Sequence, residues 1–359
     1  MKLLSRILGA IQGTLIPRLE ESYGSLTDKH KQLLTILEVV RIEEFVAEGP
    51  LRPGPGRPSY SRAAMARAFV AKAFYNLHST RALLELLRST PMLRRICGFM
   101  GHAAVPHESV FSRTFEEFAG SKLPQRVHEA LVRRHCGKRL VGHLCRDSTE
   151  IAAREKAVKK QPKLKRRRGR PRKGEARPAS PLIKRQPGMS LAEMLTSLPC
   201  RCDVGAKLNS KGHMSFWTGY KLHVDTADGQ IPISCVLTSA TVHDSQVAIP
   251  LATMSAARVT SLYDLMDAAY DAESIRKNSR GLGHVPIIDT NRRSGKAVEM
   301  EPASRIRFRE RTNSERVNGR LKDEFGGRMV RVRGGAKVMA HLMFGILALT
   351  GDQLLRLLA

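Results

Sequence analysis

"RFRERTNSERVNGRLKDEF", residues 307–325, reads as a helix whose charges are ordered. Arg311, Glu315, Asn318 and Lys322 fall at i, i+4, i+7 and i+11, so they share one face, and Phe308 begins the same stripe. Val317, Leu321 and Phe325 mark another face, suited to packing. A carboxylate flanked by cations along one helix face suits a phosphate lying along that helix. An exposed Arg311–Glu315 ion pair on a surface helix would account for the same residues. The elements around the helix decide between the two.

Two other acids stand in unusual settings. Asp147 lies inside an otherwise apolar strand, "VGHLCRDSTEI", and Asp267 ends a second, "LYDLMDAAYD". Carboxylates on adjacent strands and a packed helix converge at a sheet's edge. Three oxygen ligands in one place bind hard cations such as Mg²⁺ or Mn²⁺. Two such ions about 3.5–4 Å apart serve an in-line phosphoryl displacement. The order is strand at 139–153, polar insertion at 155–212, then two strands in "SFWTGYKLHVDTADGQIPISCVLTSA" joined by a turn at Asp228-Gly229. A helix over 245–256, which Asp244 can cap, then alternates with the strands "RVTSLYDLMDAAYD" and "HVPIIDTNR" and a helix over 309–324. That succession predicts a mixed α/β core.

The amino-terminal third has another texture. Leu3, Leu4, Ile7, Leu8, Ile11 and Leu15 recur at helical spacing, predicting an amphipathic helix within a helical segment 1–48. "EGPLRPGPGRPSY" makes 49–60 a Pro/Gly-rich linker. Residues 61–137 are several helices: Ser61 can cap the first, two short ones part at Pro91, and Val110, Phe111, Thr114, Phe115 and Phe118 face inward on another. Ser109, Ser112 and Arg113 lie on that helix's other side, which suits either a helix-turn-helix-like DNA reader or a plain bundle. Residues 138–334 form the catalytic region, and 335–359 a closing apolar helix, interrupted by Lys and Gly and read as packing rather than as a membrane span.

The charge names the class of partner. The chain of 359 residues carries 61 Lys and Arg against 33 Asp and Glu, a net charge of +28, which calls for a polyanion. Hydrophobic content of 42% is that of a folded protein. Basic residues crowd "KLKRRRGRPRKGE", 163–175, inside the polar insertion. Arg168-Gly169-Arg170 is similar to an AT-hook, in which arginines beside a glycine enter an A·T-rich minor groove. The same residues would serve as a basic tether to phosphates. Six cysteines form no paired framework, which suits a reducing, cytoplasmic setting, and Cys200, Cys202 and His213 fit no zinc spacing.

Phe308, Arg311, Glu315 and Lys322 together resemble the Tyr-Arg-Glu-Lys signature of bacterial insertion-sequence DDE transposases, with Phe308 standing where the signature has Tyr. "RDST" around Asp147 is similar to that family's first-aspartate strand, and "DAAYD" to its second-aspartate turn, which prefers Asp267 over Asp264 and Asp271. "WTGYKLH", "HDS" and the run "LLELLRSTPMLRRICGF…VPHESVFSRTF" resemble further blocks, so the likeness covers about 57–350. It implies an RNase H-like core with a helical DNA-binding region and a basic insertion after the first strand. It also implies catalysis by Asp147, Asp267 and Glu315 holding Mg²⁺, or Mn²⁺, with Arg311 and Lys322 on phosphates. The partners implied are duplex transposon ends and target DNA, met by a homodimer or larger assembly. The rival readings are an inactive, transposase-derived regulator and a related nuclease that cuts without joining.

Overall fold

The computed structural model describes residues 2–47, 60–100, 105–159, 180–208, 212–290 and 299–358. Its six strands are β1 (Leu140–Ala152), β2 (Asp203–Leu208), β3 (Met214–Ala227), β4 (Ile231–Ser239), β5 (Thr260–Met266) and β6 (Val285–Ile288). β1 is central: parallel β5 and then parallel β6 lie on one side, antiparallel β3 on the other. β3 is long enough for its outer edge to serve two strands in turn. β2 pairs with Met214–Gly219 and β4 with Tyr220–Ala227. The turn expected at Asp228-Gly229 joins β3 to β4, with Gly229 and Gln230 both at positive φ. Every residue of β4 is buried, Ser234, Thr238 and Ser239 along with its apolar residues.

The helices are α1 (Lys2–Ala10), α2 (Ile16–Tyr23), α3 (Asp28–Val40), α4 (Arg62–Phe74), α5 (Thr80–Ser89), α6 (Pro91–Cys97), α7 (Glu108–Gly120) and α8 (Leu123–Cys136) in the amino-terminal part. Beyond β1 come α9 (Leu182–Arg185), α10 (Leu191–Thr196), α11 (Ser245–Ala256), α12 (Glu273–Gly281), α13 (Pro302–Phe308), α14 (Thr312–Asp323) and α15 (Gly335–Arg356). Their starts follow local chemistry. Ser61 and Ser79 accept from the N–H groups of Ala64 and Ala82, and Pro91 opens α6, where its missing N–H costs nothing.

Strand alternation assigns the two faces of the sheet. Met266, with Ala248, Tyr270, Ile275 and Ile288, packs under α11 and α12. Cys145, Leu265 and Ile287 face the other way, toward Phe308 of α13. α15 runs among α3, α4, α7, α8 and β4, and Phe344 meets the rings of Phe69 and Phe115. One hydrophobic core therefore joins 61–137, the sheet and the carboxyl-terminal helix. α15 is long and apolar enough to cross a membrane, with mean hydropathy 1.5, yet 89% of that window is buried inside the protein. It passes so close to α14 that a Cβ on Gly345 would sit 2.5 Å from the Phe325 carbonyl oxygen.

Two local expectations are corrected. Asp244 makes no capping bond to α11, because Lys221 holds its carboxylate at 2.9 Å; His243 Nδ1 accepts the Ser245 N–H instead. The helix expected over 309–324 begins as a tight turn at Arg309–Arg311 that links α13 to α14. The span 155–212 also contains folded parts. β2 extends the sheet, and Leu195 and Leu198 pack against Val247 and Leu251 of α11. The basic stretch 163–175, with Arg168, Gly169 and Arg170, lies outside the described residues, as does nearly all of the 49–60 linker.

Candidate active site: a half-buried carboxylate pair beside α14

Register places the two aspartates. Parallel β1 and β5 pair Cys145 with Leu265 and Arg146 with Met266, so the next step carries Asp147 and Asp267 alongside each other. By alternation Asp147 lies on the Cys145 face, toward α14. Asp267 has just left its strand and accepts the Ala269 N–H at 2.9 Å, which fixes its carboxylate at the start of a short helical turn.

α14 lies over Asp147 by the stripe that its sequence marks. Asn318 Nδ2 donates to Asp147 Oδ2 at 3.1 Å, and Lys322 Nζ reaches Glu150 at 2.8 Å. Val317 and Leu321 are fully buried beneath the helix, as their spacing requires. Phe308 packs its ring toward Cys145 and Leu265, an apolar seat that does not need a hydroxyl.

Burial pushes the Asp147 carboxyl up to about 6, and the Asp267 charge adds to this against the pull of Arg311 and Lys207. Asp267 is raised too, chiefly by burial and then by the charge of Asp244, while the Ala269 N–H, Arg311 and Lys207 oppose the rise. Asp244, which sequence reasoning had cast only as a helix cap, is thus part of the acidic neighbourhood. Burial would raise it, but His223 and Lys221 outweigh burial and hold it low. Tyr270 is wholly buried with its hydroxyl unpartnered, within the fields of Asp244, Asp147 and Asp267.

The other acids of these strands are accounted for. Asp264 is buried against Ser279, at 2.6 Å, and His284, at 3.2 Å. Asp271 pairs with Arg276 at 2.9 Å. Asp225 is the cross-strand partner of Arg146 and takes its guanidinium through two bonds of 2.8 Å, with Ser255 adding a third. Among the described residues, Asp147, on β1, and Asp267, just past the end of adjacent β5, share the Cys145 face with no basic side chain bonded to either.

Glu315 is not with them. It is held by Arg311 at 2.5 Å, with its side chain 53% exposed. Among the described residues no three His, Cys, Asp or Glu side chains are close enough together to hold a metal ion. The donor chemistry nonetheless fits a hard cation. Two half-buried carboxylates stand together, and Asn318 Oδ1, beside Asp147, is a buried acceptor with no partner among the described residues. Arg113 lies exposed on α7, remote in sequence from these groups.

Comparison with known families agrees with this geometry. A model described as Transposase DDE domain matches residues 142–350, from β1 through α15 and more than half of the chain. The chain belongs to the DDE transposase family. A second model, Transposase domain (DUF772), matches residues 21–117, the helices α3 to α7 with part of α2. No curated protein and no solved structure matches the chain. The transposase thus has DNA as its substrate, in keeping with its net charge of +28.

Proposed function

We propose that this transposase cuts the ends of an insertion sequence and joins the freed 3′-OH to target DNA, with Asp147, Asp267 and Glu315 as its acidic triad. The observation that carries the reading is the half-buried pair Asp147, on β1, and Asp267, just past the end of adjacent parallel β5, with α14 laid over Asp147. The strand order, three parallel strands with an antiparallel neighbour at the first, supports an RNase H-like core.

Asp147 and Asp267 would hold divalent metal, with Mg²⁺ the first choice and Mn²⁺ next. When bound, the metal activates an attacking oxygen and stabilises the leaving oxygen of an in-line displacement. The chain's own groups do the rest. The exposed Arg311–Glu315 pair is an i,i+4 contact worth only ~0.3–0.5 kcal/mol, so a cation competes readily for Glu315 and a phosphate for Arg311. Lys322, tied to Glu150, and Lys207 stand along the same edge for neighbouring phosphates. Arg113 on α7 and the arm around Arg168, Gly169 and Arg170 would add DNA contacts away from the carboxylates.

The test uses Asp147→Asn, Asp267→Asn and Glu315→Gln with DNA from either side of the reading frame. Each variant should lose Mg²⁺-dependent cleavage while its gel-shift affinity stays at the wild-type level. Normal cleavage by Asp267→Asn would reject the assignment. A wild type that cuts but yields no strand-transfer product would make the protein a nuclease rather than a transposase.

A further inference from the structure

A second basic feature lies apart from the carboxylates. A cleft of about 580 Å³ opens where the amino-terminal helices meet the segments leaving β1 and α14. It is lined by Lys72 of α4, Ser79 and Arg81 at the start of α5, and Arg154 and Arg331. Val330 bridges to Ala153, so Arg154 and Arg331 arrive side by side. Neither has a hydrogen-bond or ion-pair partner among the described residues. Glu108 is the one acid in the lining, and it is engaged by Arg81 at 3.4 Å.

Lys72 is the decisive residue. The residue is only 8% exposed, it lines the cleft, and no described residue pairs with its ammonium. An unpaired cation so largely removed from water is costly unless an anion meets it. The α5 amino terminus adds the positive end of a ten-residue helix to the same space. The remaining ionisable lining groups are His78 and His341. Burial pushes His341 down to about 3, so it stays neutral, and its ring Nε2 is spent on the Gly326 carbonyl.

We propose that this cleft is a phosphodiester-binding site that grips the duplex away from the point of cleavage, with Lys72, Arg154 and Arg331 on the phosphate. The inference rests on the transposase reading above. Arg154 lies seven residues along the chain from Asp147, a span of about 23 Å in extended conformation. At about 3.4 Å per nucleotide along one strand, that distance is on the order of seven phosphates. Burial also pushes the Lys72 ammonium down to about 8, a cost that a bound phosphate would offset.

The experiment is a titration of a mixed-sequence duplex at 50 to 200 mM salt with wild type, Lys72→Met and Arg331→Ala. One lost phosphate contact lowers the log–log salt slope by about 0.9, so wild type should lose about 3.5-fold more affinity than Lys72→Met over that range. Arg331→Ala should fall in the same direction. Melting temperature is read in parallel, with inorganic phosphate against chloride at matched ionic strength. Lys72→Met should melt no lower than wild type and should lose any stabilisation by phosphate. Should Lys72→Met fail to fold, the exposed Arg331→Ala variant carries the same slope test. Unchanged slopes in the folded variants would overturn the proposal, even with phosphate stabilising the wild type, since the cleft would then hold a small anion and not DNA. A wild type that binds no duplex would instead overturn the transposase reading beneath it.

Discussion

Replacing Asp147 by Asn should make the metal-free protein more stable at neutral pH while ending DNA cleavage. The carboxyl is moved from 3.8 in the unfolded chain to about 6 in the folded one, mainly because folding takes it out of water. At 1.36 kcal/mol per pH unit of difference, the ionised form costs about 3 kcal/mol. The sign follows from linkage. A carboxyl whose folded pKa is raised binds its proton more tightly in the folded state. Its contribution is therefore intact below about pH 3.8 and is lost as pH rises through about 6. Asparagine is neutral throughout and keeps an oxygen for the Asn318 amide.

The assay is urea unfolding in the presence of a chelator, wild type against Asp147→Asn, from about pH 4 to pH 7.5. Buried histidines bend the absolute curves the other way. His128 and His341 are pushed down to about 3 and His223 to about 4, in each case chiefly by burial. Stability that they contribute is present above about 6.5 and is lost as pH falls, so only the difference between the two proteins is informative. That difference should grow from near zero at the acid end to about 3 kcal/mol at neutrality. A flat difference across the range, or a variant less stable at pH 7, would refute the claim that burial of this carboxylate opposes folding.

Arg311→Ala should change stability by no more than ~0.5 kcal/mol, since it removes one exposed i,i+4 pair, yet slow cleavage on the order of 10²-fold if the guanidinium serves a phosphate; unfolding and single-turnover cleavage measure the two effects. Gly345→Ala should cost ~1–3 kcal/mol in unfolding free energy, because the new Cβ meets the Phe325 carbonyl at 2.5 Å; an unchanged denaturation midpoint would show that α14 and α15 part easily. Gly169→Val should weaken binding to A·T-rich DNA and barely affect G·C-rich DNA if Arg168 and Arg170 enter a minor groove; equal losses on both would leave a basic tether. Deleting 163–175 should flatten the salt dependence by about 0.9 per lost phosphate contact and spare cleavage of pre-bound ends.

The strands, the α14 stripe and the capped helices were legible because each rests on local rules: period two, period 3.6, a serine before an apolar run. Asn318 and Lys322 of that stripe reach across to Asp147 and Glu150, while Arg311 and Glu315 pair with each other. Other features were not legible, because the signal used was ambiguous. An acid inside an apolar strand marked Asp147, but Asp225 and Asp264 satisfy the same description. What separates them is Arg146 opposite Asp225, and His284 and Ser279 against Asp264, partners 15 to 79 residues away in sequence. Asp244 was mistaken for a cap because capping is a local rule, whereas Lys221, 23 residues earlier, claims it through the sheet. α15 was set apart by its place at the end of the sequence, although its apolar surround comes largely from helices of the amino-terminal part, α3, α4, α7 and α8, together with β4.

The division between fixed and exchangeable groups carries a mechanistic consequence. Asp147 and Asp267 are placed by paired strands and a backbone N–H, and burial raises both, so their position is held by the rest of the fold against their own electrostatics. Arg311 is held by Glu315 and the Phe308 ring, Glu315 by Arg311, and Lys322 by a half-exposed glutamate. In the proposed reaction, cation and polyanion would together meet an acidic floor fixed by the fold, whose raised carboxylates binding would stabilise. The side chains above that floor would exchange one weak partner for another at little cost. A Glu315→Gln variant that retained cleavage would break this division, because it would leave the half-buried pair sufficient on its own. An Asp147→Asn variant that cleaved normally would break it from the other side, since the strain carried by the floor would then serve no step in the reaction.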